Sequence, residues 1–127
     1  MSYLRNRFQK EANKMAQDYL ASIPFDQRLY RQDIEGSIAH TKMLAKQGII
    51  AKSDTETITA GLNSIREEIE QGRFQFKPEL EDIHMNIETR LFEKIGDVAG
   101  KLHTARSRND QIALDIRLFV KEEILKT

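Results

Sequence analysis

The sequence predicts an all-α fold, and three observations predict it. Only 6 glycines and 2 prolines punctuate 127 residues, which favours long uninterrupted helices. Apolar residues recur at steps of three and four through most of the chain, the period of a helix with one buried face. The one stretch that alternates like a strand, Arg73-Phe74-Gln75-Phe76-Lys77, has no second strand to pair with.

Each element follows from local chemistry. Phe8, Ala12, Met15, Ala16, Tyr19 and Leu20 share a face over residues 7–20, and that helix ends near Ser22 because Pro24 drives Ile23 out of helical angles. Asp26 is the expected N-cap of the next helix, whose face is Leu29, Tyr30, Ile34, Ser37, Ile38, Thr41, Leu44 and Ala45. Gly48 closes it in the left-handed conformation, with Ile49 folding back. Ser53-Asp54-Thr55-Glu56 reads as a capping box ahead of Ile58, Leu62, Ile65 and Ile69, and Gly72 ends that helix. Residues 73–77 then form an extended linker anchored by two Phe side chains. Pro78 is the expected helix entry for the stripe Leu80, Ile83, Ile87, Leu91 and Ile95, which Gly96 terminates.

Residues 97–107 lack helical periodicity and read as a loop. The last helix starts near Asn109-Asp110 and carries two apolar faces, Ile112, Ile116, Phe119 and Val120 on one, Leu114, Leu118 and Leu125 on the other. Such a helix expects neighbours on more than one side, as in a bundle, and left unpartnered it favours self-association. Its pattern runs to Thr127 without a cap, so the expected division is a helical domain over 1–107 and a truncated bundle helix over 108–127.

Composition narrows the function classes. Twenty basic residues balance twenty acidic ones, which argues against a nucleic-acid partner. The absence of cysteine removes disulfides, thiolate nucleophiles and thiolate metal sites. No apolar run reaches the ~18 residues of a spanning helix, and residues 1–5 show no signal-peptide core, so no membrane partner and a cytoplasmic location are expected.

The densest chemistry lies in Lys101-Leu102-His103-Thr104-Ala105-Arg106-Ser107-Arg108-Asn109-Asp110, immediately ahead of a helix. Free amides and the positive dipole end favour an anion there, and Arg106 and Arg108 add forked donors for carboxylates or phosphates. The simpler alternative is a solvated basic loop in which Ser107 or Asn109 caps the helix. Asp82, His84 and Glu88 could be metal ligands or an acid–base group. At i,i+4 spacing, however, His84 and Glu88 are more simply a surface pair, and with no second His nearby no metal is expected. His40, alone within a helix, reads as a packed or surface residue. Ser22 lacks a neighbouring His or a nucleophile elbow and reads as a cap or ligand contact.

These residues carry a resemblance. Phe25-Asp26-Gln27-Arg28-Leu29-Tyr30 with Asp33-Ile34-Glu35-Gly36-Ser37-Ile38-Ala39-His40, then Glu81-Asp82-Ile83-His84 with Glu88–Leu91, then Gly100–Gln111 resemble three ordered stretches of the argininosuccinate lyase family, in the fumarase/aspartase superfamily. The resemblance runs from about Arg7 to the end. It implies an all-α N-terminal domain leading into the first helix of a central bundle, and a β-elimination that yields arginine and fumarate from argininosuccinate without metal or organic cofactor. It further implies that Ser22, Ser107, Arg108 and Asn109 bind substrate, that Asp26 and His84 line the same cleft, and that active sites are shared among three subunits of a homotetramer.

The sequence also departs from the family pattern. Leu20-Ala21 precedes Ser22 where an Asn is usual, Asn6-Arg7-Phe8 keeps only Arg7 and Phe8 of a longer stretch, and Ala105 replaces a frequent Gly. The family's catalytic His and catalytic Ser lie in motifs that do not occur in these 127 residues, so no catalytic residue is assigned here. The alternative is a non-catalytic protein of the same ancestry, crystallin-like or a helical interaction module. The downstream His and Ser regions would separate the two.

Overall fold

The computed structural model describes residues 27–104, 106 and 108–126, with Asn109 described by its backbone alone. The expected helix over 7–20, and the residues Ser22, Asp26 and Ser107, lie outside this set. The described residues form four α-helices: α1 (Tyr30–Lys46), α2 (Lys52–Glu70), α3 (Ile83–Ile95) and α4 (Arg108–Lys126). Three 3-10 segments, Gln27–Leu29, Pro78–Leu80 and Gly96–His103, join or precede them, and no strand occurs among the described residues.

The core is built by α1 to α3 and the Gly96–His103 segment. Ile34 from α1, Ile58, Leu62 and Ile65 from α2, Ile83, Ile87 and Leu91 from α3, and Ala99 and Leu102 after it form one buried cluster. Each fully buried Ile or Leu contributes about 1.5–3 kcal/mol. Phe74 and Phe76 of the extended linker pack on the same cluster, their rings 4.9 Å apart, as the sequence suggests. No residue of α4 belongs to this cluster.

Two helix ends follow one scheme. Gly48 takes φ +75°, its N–H bonds Ala45 O at 3.0 Å, and the next N–H, of Ile49, bonds Leu44 O at 2.9 Å. Gly72 repeats this after α2, with Arg73 N–H reaching Glu68 O at 2.8 Å. The side chain that seals the first turn is Ile50, packed on the core, whereas Ile49 is exposed.

Several local expectations need correction. Ser53 does not cap α2: the N-cap is Ala51, with no side-chain cap bond, because Thr55 is buried and its hydroxyl donates to Thr41 O, drawing the helix start toward the α1 end. Pro78 opens only a 3-10 turn, which Glu81 at φ +71° breaks; α3 starts at Asp82, whose carboxylate accepts from Met85 N–H at 2.8 Å. Much of the expected loop is helical, since Ala99 and Leu102 lie three apart and bury one side of a 3-10 segment. On α4 the fully buried positions are polar, Gln111 and Asp115, while Leu114, Ile116, Val120, Ile124 and Leu125 are exposed and Ile112, Leu118 and Phe119 half-buried.

Gly61 sets the approach of α2 to α3. A Cβ at this position would stand 2.7 Å from Leu91 Cδ1 and 3.2 Å from Ile95 Cγ2. Leu91 is fully buried and has little room to turn aside. Gly61→Val is therefore expected to lower unfolding stability by about 3 kcal/mol, overpacking outweighing the smaller gain in helix propensity. Urea denaturation checks this, and an unchanged midpoint would contradict it.

Candidate functional site

The site grows from four elements. Asp33 and Ser37 lie one turn apart on α1, His84 and Glu88 one turn apart on α3, Gln111 and Asp115 one turn apart on α4, and Arg106 and Arg108 bracket the α4 start. Each pair puts two polar side chains on one helix face, and the three faces meet in the interior.

Asp33 is its hub. His84 Nδ1 donates to Asp33 Oδ1 at 2.7 Å, and Gln111 Nε2 donates to the same oxygen at 2.6 Å. Gln111 Oε1 in turn accepts from Arg108 at 2.9 Å, and Arg108 also donates to Glu88 Oε1 at 2.7 Å. Glu88 pairs as well with His103 Nε2. Arg106 donates to Ser37 Oγ at 2.9 Å, and His40 Nε2 donates to Thr104 O at 2.9 Å, tying the segment before α4 to α1. The whole is one polar chain from His103 to His84, with Arg106 beside it.

Burial and neighbours set the charges. Burial pushes Asp33 upward, but hydrogen bonds from His84, Asp115 and Gln111 and the nearby imidazole outweigh it and hold Asp33 at about 2. Burial, then proximity to the Asp33 carboxylate, pushes Asp115 up to about 9. Asp115 is therefore a neutral carboxylic acid at pH 7. It is fully buried, 3.5 Å from His84 Nδ1, and its proton is donated to the Asp33 carboxylate. Glu88 is lowered: burial opposes ionisation, but His103 and Arg108 prevail. Arg106 is lowered from its ordinary value by burial, against the pull of Asp33 and Asp115, and stays a cation at neutral pH.

The geometry revises parts of the sequence reading. His84 and Glu88 are not a surface pair: His84 is buried against Asp33, and Glu88 faces Arg108 and His103. Asp82, His84 and Glu88 do not converge, since Asp82 caps α3. The donor atoms that do converge are those of Asp33, His84 and Asp115, all within 4.8 Å. Their shortest contact is a hydrogen bond, Gln111 already donates to the shared Asp33 oxygen, and two guanidinium groups stand near, so this donor set suits a hydrogen-bonded network better than a cation. Arg108 is not an open fork, because Glu88 and Gln111 engage two of its five N–H groups.

Beside the network a cavity of about 240 Å³ opens, lined by Gly36, His40, Met43, Arg106, Asp110, Gln111 and Leu114. Its lining joins the guanidinium of Arg106 to the first turn of α4, which also carries the acidic Asp110. Of the residues expected to bind substrate, only Arg108 has a described side chain. Periodicity passed over Asp33, Gln111 and Asp115. The signal that could have found them is the run of i,i+4 polar pairs interrupting apolar faces.

Comparison with known proteins places this geometry. The family model described as lyase matches residues 6–127. Over all 127 residues the chain is 59% identical to the argininosuccinate lyase of Dehalococcoides mccartyi, of which it covers 28%. It is 58% identical to that of Citrifermentans bemidjiense over 120 residues, 94% of this chain and 26% of that protein. It is 59% identical to that of Heliobacterium mobile over 121 residues, 95% and 26% respectively. The chain thus spans about a quarter of the length of the curated relatives it matches. With the lyase model covering nearly every residue and an all-α architecture to match, the chain belongs to the lyase family.

Proposed function

We propose that this chain is the N-terminal part of an argininosuccinate lyase, which cleaves argininosuccinate to arginine and fumarate in arginine biosynthesis. The observation that carries the reading is the 59% identity over the whole chain to a protein of that name. In this reading residues 1–107 form the N-terminal domain and 108–127 begin a central bundle helix, the full-length protein being a cytoplasmic homotetramer. No helix among the described residues is long and apolar enough to cross a membrane.

The reaction needs a base to take a proton from the succinyl carbon, donors to hold the carboxylate where charge accumulates, and an acid to protonate the departing guanidinium nitrogen as the C–N bond breaks. This chain supplies the donors. Ser107 and Arg108 hold the succinyl carboxylates, Ser22 and Asn109 also contact the substrate, and Asp26 and His84 border the cleft. Arg108, clasped by Glu88 and Gln111, also fixes the first turn of α4, whose amides and dipole face the anion. The base and acid come from later parts of the protein.

Two assays test this. The 127-residue chain alone is expected to release no fumarate from argininosuccinate, measured by ultraviolet absorbance, and measurable turnover would refute the division of labour. Substituted for the matching segment of the D. mccartyi enzyme, the chain is expected to restore fumarate release, and Asn109→Ala in that chimaera to lower kcat/KM by about a hundredfold or more. A folded tetrameric chimaera without activity would overturn the assignment.

A further inference from the structure

We propose that the groove between the C-terminal end of α1 and the first half of α2 is a docking site for an acidic amphipathic helix of a partner protein. The groove encloses about 700 Å³, with Ala45, Ala60 and Thr59 among its lining and Lys42, Lys46 and Lys52 exposed along it. Glu56 is the one acidic residue lining it. None of the three lysines makes an ion pair among the described residues.

The arrangement of charge works against the isolated chain. Lys42 and Lys46 are like charges at i,i+4, and Lys52 occupies the first position of α2, the positive end of its dipole. Ala51 provides no side-chain cap there, so the first-turn amides of α2 lack a side-chain acceptor. Carboxylates laid along the groove offset the lysine charges and face the N-terminal end of α2.

The shape selects a helix over a small anion. A stretch of α2 from Lys52 to Asn63 lines the groove, about 16 Å of helix, which matches some ten residues of a helical partner. Small side chains along it admit apolar anchors at i and i+4, while the lysines meet flanking carboxylates. The chain's own first 26 residues, with four basic and three acidic side chains, do not supply that charge.

The test is fluorescence anisotropy of the 127-residue chain with a labelled helical peptide of Leu, Ala and Glu, its Lys-for-Glu counterpart serving as control. The acidic peptide is expected to bind saturably and the basic one not. The exposed-site variant K42E/K46E/K52E is expected to weaken binding about tenfold or more. Ala60→Trp, which fills the groove, is expected to do the same with an unchanged circular dichroism spectrum. Equal binding of both peptides, or full affinity in Ala60→Trp, would overturn the proposal. So would tripolyphosphate binding as tightly as the peptide, which would indicate a small-anion site. Self-association abolished by Ala60→Trp would assign the groove to a second copy instead, and would equally overturn it.

Discussion

Asp115→Asn is expected to stabilise the fold at pH 8 by on the order of 2 kcal/mol, and to change stability little at pH 4. Asp115 is fully buried and its carboxyl is pushed up to about 9, so it is protonated in the fold and ionised in the unfolded chain, where the ordinary value is 3.8. Between those values the folded state binds a proton that the unfolded state lacks, and stability falls as pH rises through the window. Each pH unit of it is worth about 1.4 kcal/mol, and water entry around an ionised Asp115 limits the total. Asparagine keeps the shape and a donor toward Asp33 without requiring the proton. Paired urea titrations at the two pH values measure the difference. Loss of stability at pH 8 would mean that Asp115 is ionised and paired with Arg106.

Asp33→Ala has the opposite sign and a larger size, a loss of about 3–5 kcal/mol at pH 7. Its carboxylate accepts from His84 and Gln111, which are 2% and 4% exposed, and removal strands both donors where water does not reach. The guanidinium of Arg106 loses a counter-charge as well. Such a loss takes a large part of the 5–15 kcal/mol typical of a domain. The pH dependence identifies the cause. Asp33 is held at about 2, below its ordinary 3.8, so its contribution is complete above about pH 4 and disappears as pH falls toward 2. Parent and variant should therefore converge in acid. A constant difference down to pH 2 would assign the loss to packing alone.

The apolar half of this protein was legible before its structure. Ile34, Leu44, Ile58, Leu62, Ile65, Ile83, Ile87 and Leu91 are buried as their helical spacing requires, and Gly48, Gly72 and Gly96 all stand at φ near +75° where helices stop. Local signals misled where a distant contact outbid them. Ser53 makes a good cap in isolation, but burial of Thr55 against Thr41 starts the helix earlier. Pro78 suits a helix start, yet Asp82 holds the better acceptor.

The site was half visible. The cation-rich segment before α4 and His84 stood out by residue type, while Gln111 and Asp115 did not, because their partner Asp33 lies 78 residues from Gln111 in the chain. Periodicity registers what water expels. It does not register which polar groups satisfy one another inside.

Since the apolar cluster closes without α4, that helix is expected to open locally at a lower free energy than the fold as a whole. It is held by Gln32 to Glu122 at 2.7 Å, by Asp33 to Gln111, and by Glu88 to Arg108. Its departure uncovers charge more than hydrocarbon, so it carries little heat capacity and little denaturant sensitivity. Hydrogen exchange is expected to find the amides of α4 opening before those of the other described helices, with no separate step in calorimetry.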